Sequence, residues 1–85
     1  MHKIYNDNKK QDEYFQEAMK KYLSFVERQI LVYLRGWNER HDVLTREQLG
    51  NIFHEPEERI KQIEEGAITK LEKSGDKKVL ERLVA

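Results

Sequence analysis

Apolar residues recur at helical spacing in five stretches of the chain, and none shows the strict alternation of a half-buried strand. Phe15, Ala18, Met19, Tyr22 and Leu23 repeat at the helical interval, and Asp12 or Glu13 suits the positive end of a helix opening there. Ser24 with Glu27 makes a capping box, so a second helix starts at that point and the first does not simply continue. Val26, Ile30, Tyr33 and Leu34 give this helix a stripe to bury, and Gly36 fits a left-handed cap at its end. Residues 37–44, WNERHDVL, form a polar connection from which Trp37 and Leu44 fold back onto the core.

A second capping box, Thr45 to Gln48, opens a short helix with Leu49, Ile52 and Phe53 on one face. His54, Glu55 and Pro56 end it, because proline disfavours the helical region for the residue before it and suits the first position of the next helix. Ile60, Ile63, Ala67, Ile68 and Leu71 then form an apolar stripe of three turns. A short helix and a long one joined by about three residues are the geometry of a helix-turn-helix, here residues 45–72. Ser74, Gly75 and Asp76 break the chain again, and Val79, Leu80, Leu83 and Val84 belong to a last short helix. Residues 1–11, MHKIYNDNKKQ, are polar and aperiodic and read as a mobile tail. The expected fold is all-α, a small bundle of about five helices over residues 12–85.

TREQLGNIF followed by ERIKQIEEGAITKL resembles region 4, the C-terminal DNA-binding region of the primary-type sigma factors of bacterial RNA polymerase. That family carries Thr-x-Glu-x-aliphatic-Gly-x-x-Phe, then Glu-Arg-Ile-Arg-Gln-Ile-Glu-x-x-Ala-Leu-x-Lys-Leu. Thr45, Glu47, Leu49, Gly50 and Phe53 match the first motif, and Glu58, Arg59, Ile60, Gln62, Ile63, Glu64, Ala67, Lys70 and Leu71 match the second. Lys61 stands for Arg and Ile68 for Leu. Upstream, SFVERQILVYLRG lies where the family has a capped helix closing on Arg-Phe-Gly. Ser24, Glu27, Ile30, Leu31 and Gly36 fit, while Arg35 replaces the Phe. The resemblance spans about 60 of the 85 residues and leaves out residues 1–11.

By that resemblance, Glu58 and Gln62 fall at base-contacting positions for the −35 promoter element and Lys61 at a DNA-contacting Arg. Thr45, Arg46 and Glu47 open the helix that touches the DNA backbone. Chemically, Gln62 can pair bidentately with adenine, Glu58 can accept from a cytosine amino group, and Lys61 can meet guanine or a phosphate. Glu57, Arg59 and Glu65 complete the candidate DNA-binding set. Glu57 is a departure: the family has a guanine-reading Arg there, and Pro56 before it replaces a Thr. Gly66, Thr69 and Glu72 stand at family positions that are basic. The resemblance also implies docking on the flap of the polymerase β subunit through apolar surface of the bundle.

Charge sharpens this expectation, because 16 basic and 16 acidic residues cancel over the whole chain. Residues 1–40 hold 8 basic and 6 acidic side chains, whereas residues 41–85 hold 8 and 10. The half with the recognition helix is net negative, although Lys and Arg supply most non-specific DNA affinity. Weak autonomous DNA binding and poor recognition of the usual −35 sequence follow.

The remaining chemistry is sparse. At 85 residues there is room for one domain with a modest core, and the absence of Cys rules out disulfides and thiolate metal sites. His2, His41 and His54 are scattered, and His41 and Asp42 are one adjacent pair without a third partner. No nucleophile–base set and no Gly-rich phosphate loop occurs, so a non-enzyme without cofactor or metal is expected. Tyr14, Tyr22 and Trp37 read as packing residues, since no basic cluster interleaves with them. No apolar run approaches the roughly 18 residues of a membrane span, and no signal-peptide core opens the chain. A cytoplasmic, nucleoid-associated protein is expected.

Three functions fit these features. One is a sigma-like transcription factor that binds core RNA polymerase and contacts promoter DNA, with a separate region 2-like partner supplying the promoter-melting part. Another is a region 4 mimic that acts on polymerase by protein contact alone. The last is an ordinary dimeric helix-turn-helix regulator reading paired half-sites. The Met1 start favours a stand-alone regulator over the end of a longer sigma factor.

Overall fold

Five helices and no strand make up the described residues, 13–38 and 40–84, of the computed structural model. They are α1 (residues 13–22), α2 (Phe25–Arg35), α3 (Arg46–Phe53), α4 (Glu57–Ser74) and α5 (Lys77–Val84). The tail expected over residues 1–11, with His2, and the helix start at Asp12 lie outside the described residues.

Each boundary has a local cause. Ser24 Oγ accepts from the Glu27 N–H while the Glu27 carboxylate accepts from the Ser24 N–H at 2.9 Å, so the box expected at the start of α2 forms. Thr45 and Gln48 repeat the arrangement at α3, with bonds of 3.1 and 2.8 Å. Gly36 and Gly75 end α2 and α4 in the left-handed region, each at φ 70°. Asp76 restarts the chain, its carboxylate accepting from the N–H groups of Lys78 and Val79.

The core is two clusters that share α2 and α4. Phe15, Ala18, Met19 and Leu23 from the α1 segment meet Leu31 and Val32 of α2, Ala67 and Leu71 of α4, and Val79 of α5. Ile30, Leu49 and Ile60, one residue each from α2, α3 and α4, form the second cluster, with Phe53 and Ile63 packed against it. Burying each of these three aliphatics contributes about 1.5–3 kcal/mol. They fix the angle between α3 and α4.

Two expectations need correction. The α2 stripe does not run Val26, Ile30, Tyr33, Leu34: Val26 is exposed, Tyr33 and Leu34 are half-buried, and Leu31 and Val32 are buried instead. The reason is that α2 lies between both clusters, so it buries two sides. Pro56 is not the first helical residue of α4 but its N-cap, at φ −66° and ψ 153°, and the helix begins at Glu57. Proline's fixed φ suits either position, whereas its ψ here is extended.

The turn between α3 and α4 is closed by close backbone approach. His54 caps α3 at φ 58°, and the Glu55 N–H donates to the Gly50 carbonyl at 2.8 Å. A Cβ at position 50 would sit 2.5 Å from the Glu55 carbonyl oxygen, which is backbone and cannot swing aside. Gly50→Ala is therefore expected to destabilise the fold by about 1–3 kcal/mol, read as a lowered midpoint in a thermal melt.

One ion pair braces α4 against the start of α2. Lys70 Nζ donates to Glu27 Oε2 at 2.7 Å while Glu27 Oε1 serves the cap of α2. Burial raises the Glu27 pKa, but the bonds from Lys70 and Ser24 together outweigh it and leave it below its ordinary 4.5. A carboxylate depressed in the folded state stabilises above its unfolded pKa, and that contribution is lost as pH falls through the folded value. Glu27→Gln is expected to lower stability at pH 7 and to flatten the acid loss below about pH 4.5, measured by denaturant melts across pH.

Candidate nucleic-acid interface

The helix-turn-helix presents the N-terminal half of α4 to solvent. Glu57, Glu58, Arg59, Lys61, Gln62 and Glu65 are all exposed, and Glu58, Lys61, Gln62 and Glu65 recur at the spacing that puts them on one face. The N-cap Pro56 supplies no side-chain hydrogen bond, so the first turn of α4 lacks the cap that a Ser or Thr would give. Glu57 and Glu58 in that turn oppose the positive helix end instead. The same charges that favour the free helix repel a phosphate.

The start of α3 holds the rest of the candidate set. Thr45 is spent on its capping box, Glu47 is exposed in the first turn, and Arg46 turns back to α4. Its Nη2 and Nε donate to Glu64 Oε1 at 2.8 and 3.2 Å, and Arg35 Nε lies 3.8 Å from the other oxygen. The Glu64 bond and charge come first among the causes that raise the Arg46 pKa above its ordinary value, and Glu65 and Glu57 add to it. The structure thus pairs α3's one arginine with the Glu64 carboxylate of α4.

Sequence reasoning passed over Glu64 as a packing residue, although the signal was there. It lies four residues after Ile60 and three before Ala67, inside the apolar stripe, where a charge survives burial only with a partner.

An apolar groove of about 570 Å³ opens between α2, the connection to α3, and α3 itself. Phe25, Tyr33, Val43, Leu49, Ile52 and Phe53 line it. Phe25, Val43 and Ile52 are 63%, 65% and 58% exposed, so apolar surface at the groove faces solvent, with Gln29 and Asp42 also in its lining. Trp37 lies elsewhere and folds back onto the core as its sequence position predicts: its ring packs edge-on to Phe15 at 4.9 Å, and its carbonyl accepts from Gln16 Nε2. Among the described residues no group of three His, Cys, Asp or Glu could hold a metal ion, and no helix is long and apolar enough to cross a membrane.

A family model described as sigma-70, region 4 matches residues 21–73. The chain belongs to the sigma-70 region 4 family. No match was found among curated proteins or among solved structures. The matched span runs from the end of α1 through α4 and so contains the helix-turn-helix, the groove and the Arg35–Glu64–Arg46 junction. Sigma-70 region 4 is a DNA-binding regulatory domain family of transcription, and α5 lies beyond the matched part.

Proposed function

We propose that this region 4 domain is a transcription factor that holds core RNA polymerase on its β flap through the groove between α2 and α3. It contacts promoter DNA near the −35 element with weak or altered sequence preference, through Thr45, Glu47 and the exposed face of α4. The observation that carries this reading is the pairing of an open apolar groove with an exposed α4 face on one helix-turn-helix. A groove lined by exposed Phe25, Val43 and Ile52 suits an amphipathic segment of a protein partner. A separate region 2-like protein supplies promoter melting, and the site of action is the nucleoid.

The acidic face favours a second reading, a region 4 mimic acting by protein contact alone. Glu47, Glu57, Glu58 and Glu65 are exposed there, against Arg59 and Lys61. Two measurements decide. Core polymerase is expected to retain the chain in a pull-down, and failure to do so sinks both readings. Binding to random duplex DNA that weakens with salt supports the factor, whereas polymerase capture with no such binding supports the mimic.

A further inference from the structure

Glu64 stands apart among the described residues as a charged side chain that is only 8% exposed. A lone carboxylate there would be costly, and two guanidiniums compensate it. They do so unequally. Arg46 places both Nη2 and Nε on Oε1, at 2.8 and 3.2 Å, while Arg35 approaches Oε2 only to 3.8 Å, beyond hydrogen-bond reach. The same guanidinium fork can take a phosphate, there with two donors on two oxygens. Arg46 is the first residue of α3 and its side chain is 43% exposed, so the group stands at the rim of the helix-turn-helix and is already engaged.

We infer that Glu64 is a positioning residue that occupies the Arg46 guanidinium in place of a DNA phosphate and so withdraws one backbone contact from the helix-turn-helix. This rests on the DNA-contacting function proposed above. A phosphate that captured Arg46 would break a charge-assisted bond and leave a buried carboxylate facing Arg35 alone at 3.8 Å. The bound state therefore keeps Arg46 on Glu64, and the domain meets DNA with one cation fewer than its composition suggests.

The test is binding of the full chain to a random-sequence duplex, followed by fluorescence anisotropy over a salt series, for wild type, Glu64→Gln, Arg46→Gln and the double variant. Glu64→Gln is expected to tighten binding and to steepen the fall of log K with log salt by about 0.9, one phosphate contact. That gain is expected to vanish in the double variant. An unchanged slope in Glu64→Gln, or a gain that persists without Arg46, overturns the inference. Because Glu64→Gln loosens the junction of α2, α3 and α4, a second measurement uses the unaltered chain. Its Arg46 Nε–H resonance is expected to be protected from solvent exchange and to stay in place when duplex is in excess at low salt; a shift onto DNA overturns the inference. Glu57→Arg runs in parallel. A gain there with none in Glu64→Gln removes only the role given to Glu64, whereas no DNA binding by either removes the DNA-contacting function with it.

Discussion

Glu57→Arg should tighten binding to a −35 duplex by roughly five- to 150-fold, the equivalent of one bidentate guanine contact at about 1–3 kcal/mol. Glu57 opens α4, is exposed, and stands where the family has an Arg, so the new side chain reaches the groove without repacking. The change also converts a repelling charge into an attracting one, which steepens the salt dependence by about 0.9 if one phosphate is gained. It has a cost in the free protein. An acid in the first turn opposes the helix dipole and a base does not, so the variant should be less stable by about 0.3–1 kcal/mol. Tighter binding with a lower melting midpoint is the expected pair of results. An unchanged affinity at every salt concentration would mean that this face of α4 does not meet DNA.

Ile52→Glu and Phe25→Glu, made separately, are expected to weaken capture by core polymerase at least 30-fold. Each side chain is more than half exposed and lines the groove, so neither change empties the core, and surface changes of this kind shift stability within about 0.5 kcal/mol. A central apolar anchor in a protein interface is worth about 2 kcal/mol or more when truncated, and a buried carboxylate adds its desolvation. The two sets of variants should separate cleanly. Glu57→Arg alters DNA binding and leaves polymerase capture intact, whereas the groove variants do the reverse. Retention of wild-type capture by both groove variants would move the docking surface off this groove.

How much of this could be read from residues alone depended on the range of the interaction. Capping boxes are local, and both Ser24 with Glu27 and Thr45 with Gln48 formed as their spacing predicts. The helix-turn-helix was legible for the same reason, since Leu49 and Ile60 are periodic and Pro56 interrupts them. The α2 stripe was misread because a helical period identifies one apolar face, and α2 is wedged between two clusters. The groove was hidden altogether: Ile52 reads as part of one apolar face with Leu49 and Phe53 until the tertiary arrangement leaves it uncovered. Glu64 was concealed by its charge, which a hydropathy pattern assigns to solvent while Arg35 and Arg46 hold it inside. The candidate DNA-binding residues came from resemblance, and a local pattern could not have told that Arg46 turns inward to α4.

That α4 is the common wall of both clusters has a consequence for how the domain comes apart. Ile60 belongs to one cluster and Ala67 and Leu71, two and three turns on, belong to the other. Neither half can lose its packing without stripping the same rod, so the amides from Ile60 to Leu71 should exchange with deuterium only when the whole molecule opens. Those of α3 and α5, each eight residues long and resting on one cluster apiece, should open earlier. The recognition helix, together with α2, is then the last to melt.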